Sequence, residues 1–450
     1  MQRLTLALAL ALCCITQLIH AQNITLEQKT QTNLNLDIYS NDLAHIQDSR
    51  ILGAIKLNDS ITIKDISDKI LPHSLHIFKA GDITEQRVES PPTYQQLLRQ
   101  SVGSEISLIE KNDLGKEIRR SVTLLSVDTS TAIIDNQGSI ETIPLHSKQW
   151  RIAFQNNTAK GFTSPAIRFK SKGKKHTNNI LLSYLSSDIS WSMNYILAFN
   201  TKNQKLELKG LASISNNTAT HFNNANISLR SDQPQPAKKR SKTTATSNTA
   251  LYKLLKRTSI PPGQQTLIPI VQAAGIDAKV SHRWTSYITP QPNKKLTPQH
   301  PNSYLSFLNS AKDQLGKTLP AGKAKIFTHA GSQAFQLLGE SDLAHSETGE
   351  RIELLLAKAV DFSITQRATG RQDTFDGSIT SSQFILKNSS AQSRTLTLSV
   401  RFNHPSQIIS STYPVSNKQP LSARWNIAVR ANSTHVFDLN VRLKHPRYPN

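Results

Sequence analysis

The chain has 450 residues, 37% of them hydrophobic and 19% charged, with a formal net charge of +22 at pH 7. That apolar content supports packed cores and excludes a wholly disordered or collagen-like chain, and the length suits about three domains. Only two cysteines occur, Cys13 and Cys14, so beyond them the chain has no disulfide and no thiolate metal site.

Residues 1–21 read as a secretory signal peptide: Arg3 supplies the positive start, residues 4–19 form an apolar run, and Ala21 offers a small residue for cleavage. The run is short for a membrane anchor, and Leu12 before Cys13 does not suit a lipoprotein signal. The expected location is therefore exported, periplasmic or extracellular, and peripheral to the envelope. No transmembrane segment is expected after signal cleavage: in the nearest, residues 181–199, Asp188 and several serines interrupt the apolar pattern.

Residues 22–176 are expected to form an N-terminal β domain, in which Leu34, Leu36 and Ile38 alternate with polar residues as a half-buried strand does. A short helix is predicted at residues 93–100, where Tyr94, Leu97 and Leu98 share a face after Pro91-Pro92. From there to about Phe154, short β-like runs are broken by Asn112-Asp113-Leu114-Gly115 and Asn136-Gln137-Gly138. Residues 93–154 are thus either a small barrel-like unit or strands of one larger sandwich.

Residues 177–288 are expected to form a middle basic β-sandwich, with residues 232–249, rich in Pro, Lys, Ser and Thr, as a mobile loop. Pro290, Pro292, Pro298 and Pro301 mark residues 289–302 as a linker. A C-terminal β-sandwich follows at 303–450, where Leu396, Leu398, Val400 and Phe402, then Phe437, Leu439, Val441 and Leu443, repeat the period of two. The predicted class is mainly β: tandem antiparallel β-sandwich, immunoglobulin-like domains.

Charge is unevenly placed. Residues 1–150 hold 14 Lys/Arg against 17 Asp/Glu, whereas residues 151–330 hold 26 against 5. Within that basic third, Lys170, Lys172, Lys174 and Lys175, then Lys238, Lys239, Arg240 and Lys242, then Lys253, Lys256 and Arg257 are the candidate polyanion-binding residues. No aromatic platform interleaves with them and export separates the chain from genomic nucleic acid. The partners expected are anionic envelope polymers, such as lipopolysaccharide phosphates or acidic polysaccharides, or another envelope protein; a solvated basic surface without a ligand explains the runs equally well.

Several groupings invite a chemical reading beside a plain one. Ser171-Lys172-Gly173-Lys174 matches the Ser-x-x-Lys spacing of some serine hydrolases, yet sits in a lysine-crowded loop where a neutral base is disfavoured. His73 and His76 have a helical ligand spacing among residues that suggest a strand. Glu347, Glu350 and Glu353, with Asp342 and His345 around Thr348-Gly349, suit a Ca²⁺ site or acid–base pair, or a solvated hairpin turn. Asp373 and Asp376 read as turn formers, and Trp191 and Tyr195 as core continued by Met193 and Leu197 rather than a sugar-stacking pair. Seven Asn-x-Ser/Thr triplets are what chance gives in so Asn-, Ser- and Thr-rich a chain. No Gly-rich phosphate loop, GxSxG elbow or CxxC pair occurs, and no cofactor is expected. The leading expectation is a non-catalytic interaction or scaffold protein. The alternative is an envelope polysaccharide- or peptidoglycan-acting hydrolase with Glu350 or Asp376 in acid and base roles.

Five stretches also occur in a familiar order: IYSNDLAHIQDSRIL from Ile38, DISDKILPHSL from Asp65, LLSYLSSDISWSMNY from Leu181, LPAGKAKIF from Leu319 and AHSETGERIELLLAKAVDF from Ala344. Together they resemble a bacterial family known as domain of unknown function 4139, which includes proteins called mucoidy inhibitor A. The resemblance implies an exported protein of β-sandwich domains and carries over no activity and no catalytic residue. The chain departs from the family pattern at Ala344, where an acidic residue usually precedes the His, and at Ser231-Asp232, where a Gly-containing turn is usual.

Overall fold

The alternating pattern becomes sheet along nearly the whole chain. In a computed structural model, which describes residues 23–56, 59–111, 116–147, 149–154, 164–172, 179–231, 251–288, 297–330 and 334–444, five sheets account for most of the backbone. The signal-like segment 1–21, the loop 232–249 and residues 289–296 lie outside the described residues. The chain groups into two compact units: the first holds 23–190, 215–231 and 251–265, the second 191–214 and 266–444. These units interleave along the sequence. The reason is strand pairing: Phe222–Arg230 runs parallel to Gln31–Tyr39, far back in the chain, and so joins the N-terminal strands.

In the first unit, a seven-stranded sheet has at its centre Phe222–Arg230, Gln31–Tyr39, Leu43–Ile51 and Asn179–Ser187. A four-stranded sheet runs Asn23–Leu26, Ser60–Lys64, Ala166–Ser171, Ile83–Glu89. Leu34, Leu36 and Ile38 are buried as their alternation predicts, as are Ile61, Ile63, Ile167 and Phe169 of the smaller sheet. Asp48 and Arg50 share the inward parity of Ala44 and Ile46, and both are buried. Arg50 donates to Asp48 Oδ2 from Nε (2.9 Å) and Nη2 (2.8 Å), and to the carbonyls of Leu26 (3.2 Å), Lys64 (2.7 Å) and Asp65 (3.3 Å). All five guanidinium donors are thereby satisfied, and the side chain ties one sheet to the other.

Residues 93–154 form a sheet of their own, Ser139–Pro144, Thr131–Asn136, Glu117–Val127, Glu105–Lys111, Trp150–Ala153 in spatial order. The predicted helix is present at Tyr94–Gln100, started by a capping box between Thr93 and Gln96, and its Leu98 packs with Ile106, Leu124 and Ile134 in a separate apolar cluster. The two end strands do not pair among the described residues, so this is an open antiparallel sheet and not a closed barrel.

The second unit contains a ten-stranded sheet with Gly322–Ala330, Ile189–Asn200, Lys205–Asn216, Gln264–Tyr287, Arg394–Arg401 and Ser422–Val429 in succession. Asn302–Leu308 also pairs with Gln264–Tyr287, and Arg351–Lys358 pairs with Asn302–Leu308. A four-stranded sheet, Phe362–Thr374, Gly377–Asn388, Ser433–Lys444, Ser406–Ser411, contributes Phe384, Leu386, Phe437, Leu439 and Val441 to a core shared with Leu396, Leu398, Val400, Trp425 and Ile427. Antiparallel pairing dominates among the described residues, with parallel pairs such as Ile189–Asn200 beside Gly322–Ala330. One of these brings Gly322 so close to Met193 that a Cβ there would stand 2.3 Å from the Met193 carbonyl oxygen. Only glycine fits that approach.

Two of the Asn-x-Ser/Thr triplets are structural. Asn216 and Asn388, each at the end of a strand and buried, accept at Oδ1 from the backbone N–H and hydroxyl of Thr218 and Ser390, two residues on. Their amides donate to Thr220, Ile260 and Pro261 and to Gln392, Val429 and Arg430. Each side chain thus closes a turn and pins it to a neighbouring segment. Asn388→Ala is expected to cost about 1–3 kcal/mol, by orphaning those buried carbonyls. Asn226→Ala, which removes exposed bonds to Asn33 and Asn35, should cost less than about 1 kcal/mol. Denaturant midpoints of the two variants measure the difference.

Candidate functional site

Strand register in the second unit builds a continuous polar surface. Reading across the sheet, Lys358 pairs with Asn302, Asn302 with Arg283, Arg283 with Thr397, and Thr397 with Asn426. Two residues along, Thr285, Ser399, Arg424 and Asn417 form a second row, and Tyr287, Arg401, Ser422 and Gln419 a third. Because side chains alternate faces, all of these point away from the core that receives Leu396, Leu398 and Trp425. Apart from Tyr287, which stands beside it, this surface lines a concavity of about 980 Å³, together with Gln299, His300 and Tyr304, and no carboxylate is among its lining residues. The end of the expected linker contributes to it: Gln299 bridges to Ile364, and His300 donates Nδ1–H to the carbonyls of Ala359 (3.1 Å) and Phe362 (3.0 Å).

Its cations differ in how they are held. Arg283 pairs with Glu353 (Nη1 to Oε2, 2.9 Å) and lies 4.6 Å from the centre of the Tyr304 ring. The hydrogen bonds from Arg283 hold the Glu353 carboxyl below the usual carboxylate range. Lys358, Arg401 and Arg424 are exposed, and none forms an ion pair with a described carboxylate. Three cations with no ion-pair partner among the described residues, on one concave surface lined by no carboxylate, attract anions.

The predicted basic set is divided by the fold. Lys174, Lys175, Lys238, Lys239, Arg240 and Lys242 lie outside the described residues. Lys170 and Lys172 belong to the four-stranded sheet of the first unit and the turn after it, and Lys170 pairs with Glu85 at 3.1 Å. Lys253, Lys256 and Arg257 stand at the edge of the seven-stranded sheet, where Arg257 donates to Asn33 (2.8 Å) and lines a smaller concavity of about 360 Å³ with Lys29. The described members therefore fall on two sheets.

The remaining groupings resolve into structural uses. Ser171 is buried and donates to the Ala80 carbonyl at 2.6 Å, while Lys174 is outside the described residues. His73 sits in a 3-10 turn, Pro72–Ser74, and His76 opens the strand His76–Phe78; both are exposed. Glu347 accepts from Thr318 (2.8 Å) and meets His345 (2.9 Å), its N–H donates to Glu350 (2.8 Å), and Gly349 turns the chain at φ 89°. Glu353 is taken by Arg283 and Asp342 by Lys323, so the acids are dispersed. Asp373 pairs with Arg371 and Asp376 accepts from Thr374 around a hairpin. Trp191, Met193, Tyr195 and Leu197 are core, with the Tyr195 hydroxyl donating to Pro320 (2.7 Å). Among the described residues no group of three or more His, Cys, Asp or Glu is placed to hold a metal, and no helix is long and apolar enough to cross a membrane.

A family model described as "Domain of unknown function (DUF4139)" matches residues 180–447. No curated protein gives a significant match to the chain.

Proposed function

The chain belongs to the DUF4139 family, and on that premise we propose that it is an exported, non-catalytic interaction module of the cell envelope that holds an anionic polymer. The observation that carries this reading is the concavity of the second unit, where Lys358, Arg401 and Arg424 stand unneutralised among amide and hydroxyl side chains. Such a surface supplies charge and hydrogen bonds, and no carboxylate lines it. A hydrolase of the carboxylate type needs two acids facing one bond. Here Glu350 is bonded to the Glu347 N–H and Asp376 to Thr374. The signal-like residues 1–21 support export, and the basic set around Lys253, Lys256 and Arg257 is a second surface of the same sign.

Retention of the mature chain on isolated envelope material is expected to fall roughly tenfold or more as salt rises from about 0.05 to 0.5 M, because screening shortens the reach of exposed charges. A co-sedimentation series reads this directly. Retention indifferent to salt, or none at low salt, overturns the reading.

A further inference from the structure

We infer that the concavity of the second unit takes an extended glycan strand bearing spaced anionic groups, carboxylate or phosphate, and not a compact phosphate or a densely charged polymer. This rests on the reading above and narrows it to a ligand class.

Spacing is the first argument. Neighbouring strands lie about 4.8 Å apart and alternate residues of a strand about 6.7 Å apart. The pairing register therefore puts the Cα atoms of Arg401 and Arg424 about 8 Å apart, and Lys358, four strands from Arg424, on the order of 20 Å away. One phosphate cannot engage Lys358 and Arg424 together, whereas a chain laid across the strands can. The cations are also sparse, since neutral residues and Arg283, already paired with Glu353, occupy the positions between Lys358 and the arginine pair. A polymer with a charge on every unit would leave most of its charges unmatched on this surface and desolvated at a cost.

The neutral residues supply the second argument. Asn302, Thr397, Ser399 and Asn426 carry groups that both donate and accept, which is also the character of sugar hydroxyls and not of phosphate oxygens, which only accept. Thr397 and Asn426 already bond each other at 3.0 Å, so their remaining valences face outward in a fixed arrangement. Tyr287, 54% exposed and in the row of Arg401, adds a flat apolar surface for the C–H side of a sugar ring. Such stacking tolerates the wet, polar surroundings that would exclude a lipid chain.

Affinity electrophoresis or calorimetry on the mature chain tests this with four polymers: hyaluronate, which carries a carboxylate on every second sugar, a phosphomannan, neutral dextran and inorganic polyphosphate. Hyaluronate or phosphomannan is expected to bind, and which of the two binds more tightly identifies the anionic group; dextran should not bind. Arg401→Gln with Arg424→Gln should weaken binding roughly tenfold or more. Thr397→Val with Asn426→Leu should weaken the glycan several-fold yet leave polyphosphate retention unchanged. Each variant is compared with the parent by thermal unfolding, and Lys358→Gln provides an independent loss of charge at the far end of the surface. Polyphosphate binding tighter than either glycan, with the Thr397/Asn426 variant silent, overturns the ligand class while leaving a polyanion-binding protein. Binding unaffected by the arginine pair and by Lys358→Gln overturns the site. Failure of all four polymers overturns this inference together with the broader reading.

Discussion

Arg50→Met is expected to destabilise the first unit by roughly 3–5 kcal/mol, the range found when one partner of a buried, fully bonded ion pair is removed. The methionine retains most of the side-chain length, so packing is nearly preserved. What is lost is electrostatic: Asp48, 2% exposed, keeps its charge without its cation, and the carbonyls of Leu26, Lys64 and Asp65 lose a common donor. Gln31 still donates to Asp48 Oδ1 at 2.8 Å, which softens the loss without replacing the charge. Asp48→Leu combined with Arg50→Met should recover part of the stability, because the uncompensated charge is gone; the three carbonyls remain orphaned, so recovery is incomplete. Hydrogen exchange of peptides from Leu43–Ile51 measures this within the unit, with protection falling by roughly two to four orders of magnitude in the single variant. A loss of protection under about tenfold would show that this pair is not what joins the sheets.

That pair also marks where the sequence is legible and where it is not. Leu34, Leu36 and Ile38, or Leu396, Leu398 and Val400, announce their strands because burial favours one residue type at every second position. Asp48 and Arg50 stand in the same inward register and are concealed by the habit of reading charge as exposure, although opposite charges two apart, continuing an apolar face, are the available signal. The helix at Tyr94–Gln100 is readable from local chemistry, a Thr93/Gln96 capping box behind two prolines. Closure of the following strands into a barrel is not readable, since it depends on whether the first and last strands pair. The concavity is the least legible feature. Its cations lie at positions 283, 358, 401 and 424, each ordinary in its own segment, and only the register of strands distant in sequence puts them on one surface. The runs of lysine that dominate the composition are conspicuous because they are local, and local density says nothing about which sheet receives them.

Acidification is expected to weaken the second unit through His282. This side chain is 4% exposed and packs edge-on against Phe362, with Nδ1 3.0 Å from Ser303 Oγ and Nε2 3.1 Å from Arg394 Nη1. Arginine only donates, so Nε2 must accept and the proton must sit on Nδ1, donated to Ser303. A second proton on Nε2 would face the Arg394 guanidinium, itself held by Asp361 and by Ser390. Burial first, and the Arg394 charge second, push the imidazole down to about 4 from its ordinary 6.5, against an opposing pull from Asp361. The unfolded chain therefore binds this proton at higher pH than the folded one. The stabilisation is complete above pH 6.5 and is lost as pH falls through that value toward about 4. Its full size is on the order of 2–3 kcal/mol once residual screening is allowed for. His282 lies beside Arg283 on the strand that anchors the concave surface, so loosening here would also disturb the alignment of the cations. Carboxylates titrate in the same acid range, and the informative quantity is the stability of the parent minus that of His282→Gln, whose amide accepts from Arg394 but does not titrate. Denaturant unfolding from about pH 7 down to about pH 4.5 should show that difference shrinking steadily. If it stays constant across the range, His282 is not held neutral by its surroundings, and the link between acid and loss of this sheet disappears.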